Sequence, residues 1–113
     1  MKSSLILLAV VLTAFGTLMA ETISPEEAKD HIGETVTVSG HVDEFHAAAR
    51  GSFLDMGGHY PHEAFTVVNF PRSGILIDEL SHFEGKSISV TGKITLYHGR
   101  PEIVLTSLGQ ISL

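Results

Sequence analysis

One amphipathic strand pattern is written twice in this chain, and few small folds use such a pair. Residues 33–42 read GETVTVSGHV and residues 85–94 read GKSISVTGKI, at a constant offset of 52. Gly33 answers Gly85, Val36 answers Ile88, Val38 answers Val90, Gly40 answers Gly92 and Val42 answers Ile94. The match then carries Phe45-His46 onto Tyr97-His98. In the first copy Val36, Val38 and Val42 alternate with Thr35, Thr37, Ser39 and His41. In the second, Ile88, Val90, Ile94 and Leu96 alternate with Ser87, Ser89, Thr91 and Thr95. Period two in β-branched residues means a strand with one buried face. A glycine inside each copy marks a bulge or bend. Two long strands bent at a central glycine are what a small closed barrel needs to turn its corners.

The rest of the chain fills in around this pair. Ser24-Pro25-Glu26-Glu27 is a helix start: Ser24 caps, Pro25 suits the first turn and Glu27 closes a capping box, with Gly33 ending the helix after about two turns. Residues 52–56 and 65–70 read as strands separated by a Gly57-Gly58-His59-Tyr60-Pro61 loop. Ile75, Leu76, Leu80 and Phe83 recur at helical spacing before Gly85. Gly99-Arg100-Pro101 reads as a turn, and residues 102–106 as a last strand. Three strands, a helix and two strands, preceded by a short N-terminal helix, is the element order of the OB-fold, a five-stranded Greek-key barrel. In that barrel the first and fourth strands hold equivalent places; whether the repeat reflects that equivalence or convergence of two amphipathic strands on favoured Val, Thr and Gly, the same strand design appears twice.

The first twenty residues belong to a different category. Lys2 is followed by LILLAVVLTAFGTLMA, with no further charge until Glu21. A charged start, an apolar middle shorter than a comfortable membrane span of about 20 residues, and a small residue at Ala20 read as a secretory signal peptide. Cleavage after Gly16 is the fallback and an uncleaved anchor the alternative. Removing residues 1–20 leaves 93 residues, enough for one small domain spanning 21–113, with no stable membrane insertion after cleavage. With Lys2 gone the net charge moves from −6 to −7. The chain has no cysteine, so an exported domain that could have used disulfides must stand on its apolar core. The expected location is the periplasm or the medium.

Three segments, VTVSGHV, SFLDMGGHYPHEAFTVVNF and GKSISVTGKITLYHGRPEIVLTSLGQI, resemble small exported bacterial OB-fold proteins of the nucleic-acid-binding, single-stranded-DNA-binding-like kind. The resemblance spans nearly all of residues 33–111. It implies the barrel, and single-stranded nucleic acid or another oligomeric ligand as partner.

OB-folds grip ligands across strands two and three, between the loops joining strands one to two and four to five. Here those loops are about residues 46–51 and 97–101, each carrying an arginine, Arg50 and Arg100, behind an aromatic residue and a histidine. Rings that stack on bases, beside cations that meet the backbone, hold single strands without reading their sequence. The expected ligand-binding residues are therefore Arg50, Phe53, Tyr60, Phe65, Tyr97 and Arg100. His46 and His98 recur at the repeat offset and would add positive charge to this face in mild acid. His59, His62 and Glu63 lie close in sequence, but without cysteine they complete no recognised zinc spacing, and the two histidines read as solvated loop residues. No nucleophile elbow or phosphate-cradling glycine loop occurs. Asp55 and Glu102 look isolated, Asp55 reading as a partner for the Gly57-Gly58 turn. No catalytic residue, metal or cofactor is expected.

The acidic balance opposes a polyanion, whose binding needs a basic groove. Two readings follow: a non-enzymatic binding module for single-stranded nucleic acid or another oligomer, or an envelope or stress protein meeting a protein, a cationic peptide or cell-wall material. Mass spectrometry of the exported protein is expected to find a chain beginning at Glu21; a mass that includes residues 1–20 overturns the signal peptide.

Overall fold

The computed structural model describes residues 20–113; the expected signal peptide lies outside the described residues. Strands β1 (Thr22–Ile23), β2 (Thr35–Ala48), β3 (Gly51–Met56), β4 (Phe65–Asn69), β5 (Ser87–Lys93), β6 (Thr95–Tyr97), β7 (Arg100–Val104) and β8 (Ile111–Ser112) are joined by short helical turns and one α-helix, α1 (Ile77–Ser81). The pairing order is β6-β7-β4-β3-β2-β5-β8, with β1 alongside β2. β5 and β6 are consecutive halves of one strand, parted at Ile94. Because β5 pairs with β2 and β6 with β7, the sheet closes into a barrel. With β2, β3, β4, β5–β6 and β7 as its five strands and α1 between the third and fourth, this is the OB-fold.

The repeat has a direct structural expression. β2 and β5 pair antiparallel in a register that sets Val38 opposite Val90. These are equivalent positions of the two copies, so a local two-fold axis runs through that pair. The Thr37–Thr91 hydroxyl contact of 2.7 Å and the Ser89–Ser39 contact of 3.0 Å are images of one another across it. On the other face Val36, Val38, Ile88 and Val90 enter the core with Ile94, Leu54, Met56, Phe65, Val67, Ile103 and Leu105.

The corner of the barrel does not fall at Gly40. Residues 35–41 of β2 pair with β5, and residues 42–48 pair with β3. The change of partner occurs at a bulge, where Val42 faces Met56 and Glu44 faces Asp55, leaving Asp43 as the extra residue. An extra residue bends and twists a strand. Nor are the two central glycines strained, for neither has a positive φ. They are sites of close approach instead. A Cβ on Gly40 would lie 2.8 Å from Pro25 Cγ, and one on Gly92 would lie 2.7 Å from Ile103 Cγ2.

Both helices are shorter than their sequence patterns predict. Pro25–Asp30 forms a 3-10 turn. The Glu27 carboxylate accepts from Ser24 N at 2.9 Å, and His31 N donates to Ala28 O. A segment this short has too few bonds to sustain an α-helix in isolation; it is held by burial of Pro25 and Ala28 against β2, β4 and β7. In α1, Leu80 is buried and seals the barrel beside β2 and β3, while Leu76 and Ile77 stay exposed.

Replacing Gly40 or Gly92 with valine forces a branched side chain against a proline ring or an isoleucine. Each change is expected to cost about 1–3 kcal/mol, the range of core overpacking. Unchanged denaturant midpoints for both variants would contradict the close approach.

Candidate functional site

Three strands and two hairpins build a cleft of about 590 Å³ on the outer face of the barrel. Alternation along the strands decides which side chains face it. On β3, Leu54 and Met56 point into the core, so Phe53 and Asp55 point out; on β4, Phe65 and Val67 point in, so Thr66 points out. The registers align these outward residues in rows. Glu44, Asp55, Thr66, Glu102 and Thr95 are successive partners across β2, β3, β4, β7 and β6. Two residues along, His46, Phe53, Val68 and Val104 form a parallel, more apolar row. The cleft therefore has a polar floor of Asp55, Thr66 and Glu102 beside an aromatic strip.

The flanking hairpins are tighter than the loops read from the sequence. Ala48 pairs with Gly51, so the first turn is Ala49-Arg50. Tyr97 pairs with Arg100, so the second is His98-Gly99. Both residues of the second turn have positive φ, 51° and 77°, the arrangement that suits the twist of a two-residue hairpin. Tyr97 and Arg100 are thus strand residues. Tyr60 comes from the β3–β4 connection, which is tied down by the bulge in β2: Asp43 Oδ2 accepts from Gly58 N at 2.8 Å and Glu44 Oε1 from Tyr60 N at 3.0 Å. The Gly58 bond holds the Asp43 carboxyl below the usual range. It is Asp43, not Asp55, that serves this turn.

Five of the six residues expected to bind ligand meet in the cleft: Arg50, Phe53, Tyr60, Tyr97 and Arg100. The sixth, Phe65, does not. It is fully buried among the core side chains, because alternation gives the outer face at this point to Thr66. The Arg50 guanidinium lies 4.2 Å from the Tyr97 ring centre and 5.4 Å from that of Phe53, and Arg100 lies 5.4 Å from that of Tyr60. These are cation–π distances. Arg100 Nη1 also donates to Glu63 Oε1 at 3.0 Å, while His59 and His62 remain exposed.

The floor carries what the sequence did not reveal. Asp55, Glu63 and Glu102 are all buried, so the acids that look scattered along the chain converge. Thr66 Oγ1 donates toward Leu54 O and Asp55 Oδ1, so its hydroxyl is not a free nucleophile. His46 stacks on Phe53 at 4.8 Å between ring centres. Its Nε2 stands 2.9 Å from Asp55 Oδ2, an ion-pair separation without hydrogen-bond alignment. His46 Nε2, Asp55 Oδ2 and Glu63 Oε2 are left without a hydrogen-bond partner. Burial pushes the Asp55 carboxyl up, against the pull of Thr66 and His46. Burial also pushes Glu102 up, and Arg50 offsets part of it. Among the described residues, the group spaced to hold a metal ion is Glu21, His31 and Glu34, largely exposed, and none of the three lines the cleft.

No family model and no curated protein matches the sequence. Among solved structures the chain is similar to a crystal structure described as an aspartyl-tRNA synthetase from Leishmania major Friedlin, at 10% identity and a TM-score of 0.55, over 86% of this chain and 21% of that one. The likeness is one of fold: the chain corresponds to about a fifth of that protein's length.

The raised carboxyl of Glu102 has a consequence for stability. A carboxyl whose folded pKa lies above its unfolded one binds its proton more tightly in the folded state. It therefore favours folding in acid and loses that contribution as pH rises through the folded pKa. Glu102→Gln removes the charge and keeps the shape. It is expected to raise the melting temperature by a few degrees near pH 7, where about 1 kcal/mol corresponds to 4–8 °C in a domain this size, with the gain shrinking toward pH 4. An equal gain at both pH values, or a loss near neutrality, would contradict the burial of that charge.

Proposed function

We propose that the protein is a non-catalytic binding module of the periplasm or medium, akin to the small exported OB-fold proteins it resembles. It holds a short stretch of single-stranded nucleic acid across β3, β4 and β7. The observation that carries this reading is the pair of arginines from opposite hairpins, each set against a tyrosine. Arg50 with Tyr97 and Arg100 with Tyr60 frame the face on which OB-folds take oligomers. Cations at the rim meet phosphates and rings meet bases, the combination by which single strands are bound without sequence readout.

The net charge of −7 after loss of Lys2 and the three buried acids favour a second reading, in which the cleft meets a cationic peptide or a protein or cell-wall surface. The two respond oppositely to one change. Arg50 has no carboxylate at ion-pair distance among the described residues, whereas Arg100 neutralises buried Glu63, so Arg50→Ala is the cleaner variant. With single-stranded oligonucleotide it is expected to weaken binding and to lower the slope of log K against log salt by about one, the loss of one phosphate contact. With an arginine-rich peptide, removing Arg50 strengthens binding. Wild-type protein that binds no oligonucleotide at low salt overturns the nucleic-acid reading.

A further inference from the structure

Resting on that reading, we infer that His46 is a placeholder for an amino-bearing nucleobase: a base such as cytosine displaces the imidazole, stacks on Phe53 and donates its exocyclic amino group to Asp55. The imidazole already has the attributes of such a base. It is a flat nitrogen heterocycle, its plane within 18° of the Phe53 ring and its centre 4.8 Å away. A ring nitrogen sits 2.9 Å from a carboxylate oxygen on the cleft floor. That nitrogen and that oxygen are both left without a hydrogen-bond partner. The carboxylate is fixed, its other oxygen held by Thr66 at 2.8 Å and its exposure only 1%. His46 is freer, with 28% of its side chain exposed. A buried acceptor without a hydrogen bond is costly and favours any ligand that fills it. A ligand that takes the place of His46 gains the Phe53 face and Asp55 Oδ2 together, with the Tyr60 ring, tilted and centred 5.2 Å from the imidazole, also beside it.

The chemistry of the floor selects among bases. Carboxylates accept from the N4 amino group of cytosine. Uracil has the same size and the same stacking surface, but presents a carbonyl oxygen at that position, which a carboxylate repels. Neighbouring Glu63 Oε2 is a second unfilled acceptor lining the same cleft and adds to the discrimination. A phosphate cannot occupy this floor, so the backbone of the strand runs along the arginine rim.

Titrations of the exported domain with oligo-dC and oligo-dU of equal length, near pH 7.5 and at low salt, test the inference. Oligo-dC is expected to bind about tenfold more tightly, within the range of one good base contact. His46→Ala removes the competitor for Phe53 and Asp55 and is expected to tighten binding of oligo-dC while keeping the preference. Asp55→Asn turns a pure acceptor into a group that can also donate, and is expected to abolish the preference. Equal binding of dC and dU by the wild type overturns the inference and leaves the nucleic-acid reading standing. So does weaker dC binding by His46→Ala, which would make the imidazole part of the platform. Failure to bind either oligonucleotide overturns both, and binding of an arginine-bearing peptide instead would assign Asp55 and Glu63 to a guanidinium.

Discussion

The single strand β2 is the constraint on which the rest of the molecule depends. It pairs with β5 through residues 35–41 and with β3 through residues 42–48, so both sides of the barrel hang on one continuous backbone. The extra residue Asp43 makes this passage possible, since a bulge adds the twist and bend that an unbroken ladder resists. The same bulge brings two consecutive acids toward the β3–β4 connection, where Asp43 holds Gly58 and Glu44 holds Tyr60. The feature that closes the barrel thus also fixes one wall of the cleft.

Charge in the cleft is layered. Arginines at the rim rest on rings, and carboxylates at the floor are withdrawn from water. Glu63 is neutralised by Arg100. Asp55 and Glu102 have weaker compensation, and burial pushes both carboxyls up. Unfilled polar atoms at the bottom of a cleft oppose folding. Their cost is offset by the apolar interior on the other side of the same strands, where Leu54, Phe65, Val67 and Ile103 pack together.

The internal repeat reaches the cleft but changes character there. Up to Val42 and Ile94 the copies are near two-fold partners about the Val38–Val90 axis. Beyond it, β2 gains Asp43 in a bulge, whereas β5 parts from β6 at Ile94. Equivalent residues consequently diverge: Phe45 packs partly against the core, while Tyr97 stands exposed beside Arg50. His46 and His98 still line the same cleft, one stacked on Phe53 and the other set edge-on to Tyr97.

Much of the barrel is legible in the residues themselves. The twofold VTVSG/ISVTG pattern, the strand alternation, the turn glycines and the element order lead to an OB-fold, because these are local properties of periodicity and backbone freedom. The hairpin arginines and tyrosines follow from knowing where such a barrel takes ligands. Alternation in FTVVN could also have set Phe65 inward and Thr66 outward, had Val67 been taken as the core marker. The place of the bulge, the close packing at Gly40 and Gly92, and the convergence of Asp55, Glu63 and Glu102 depend on register between strands far apart in sequence. Neither helical nor strand periodicity encodes that register. It is set by how one β2 backbone satisfies two neighbouring sheets at once, and so the acidic floor of the cleft emerges only when the barrel closes.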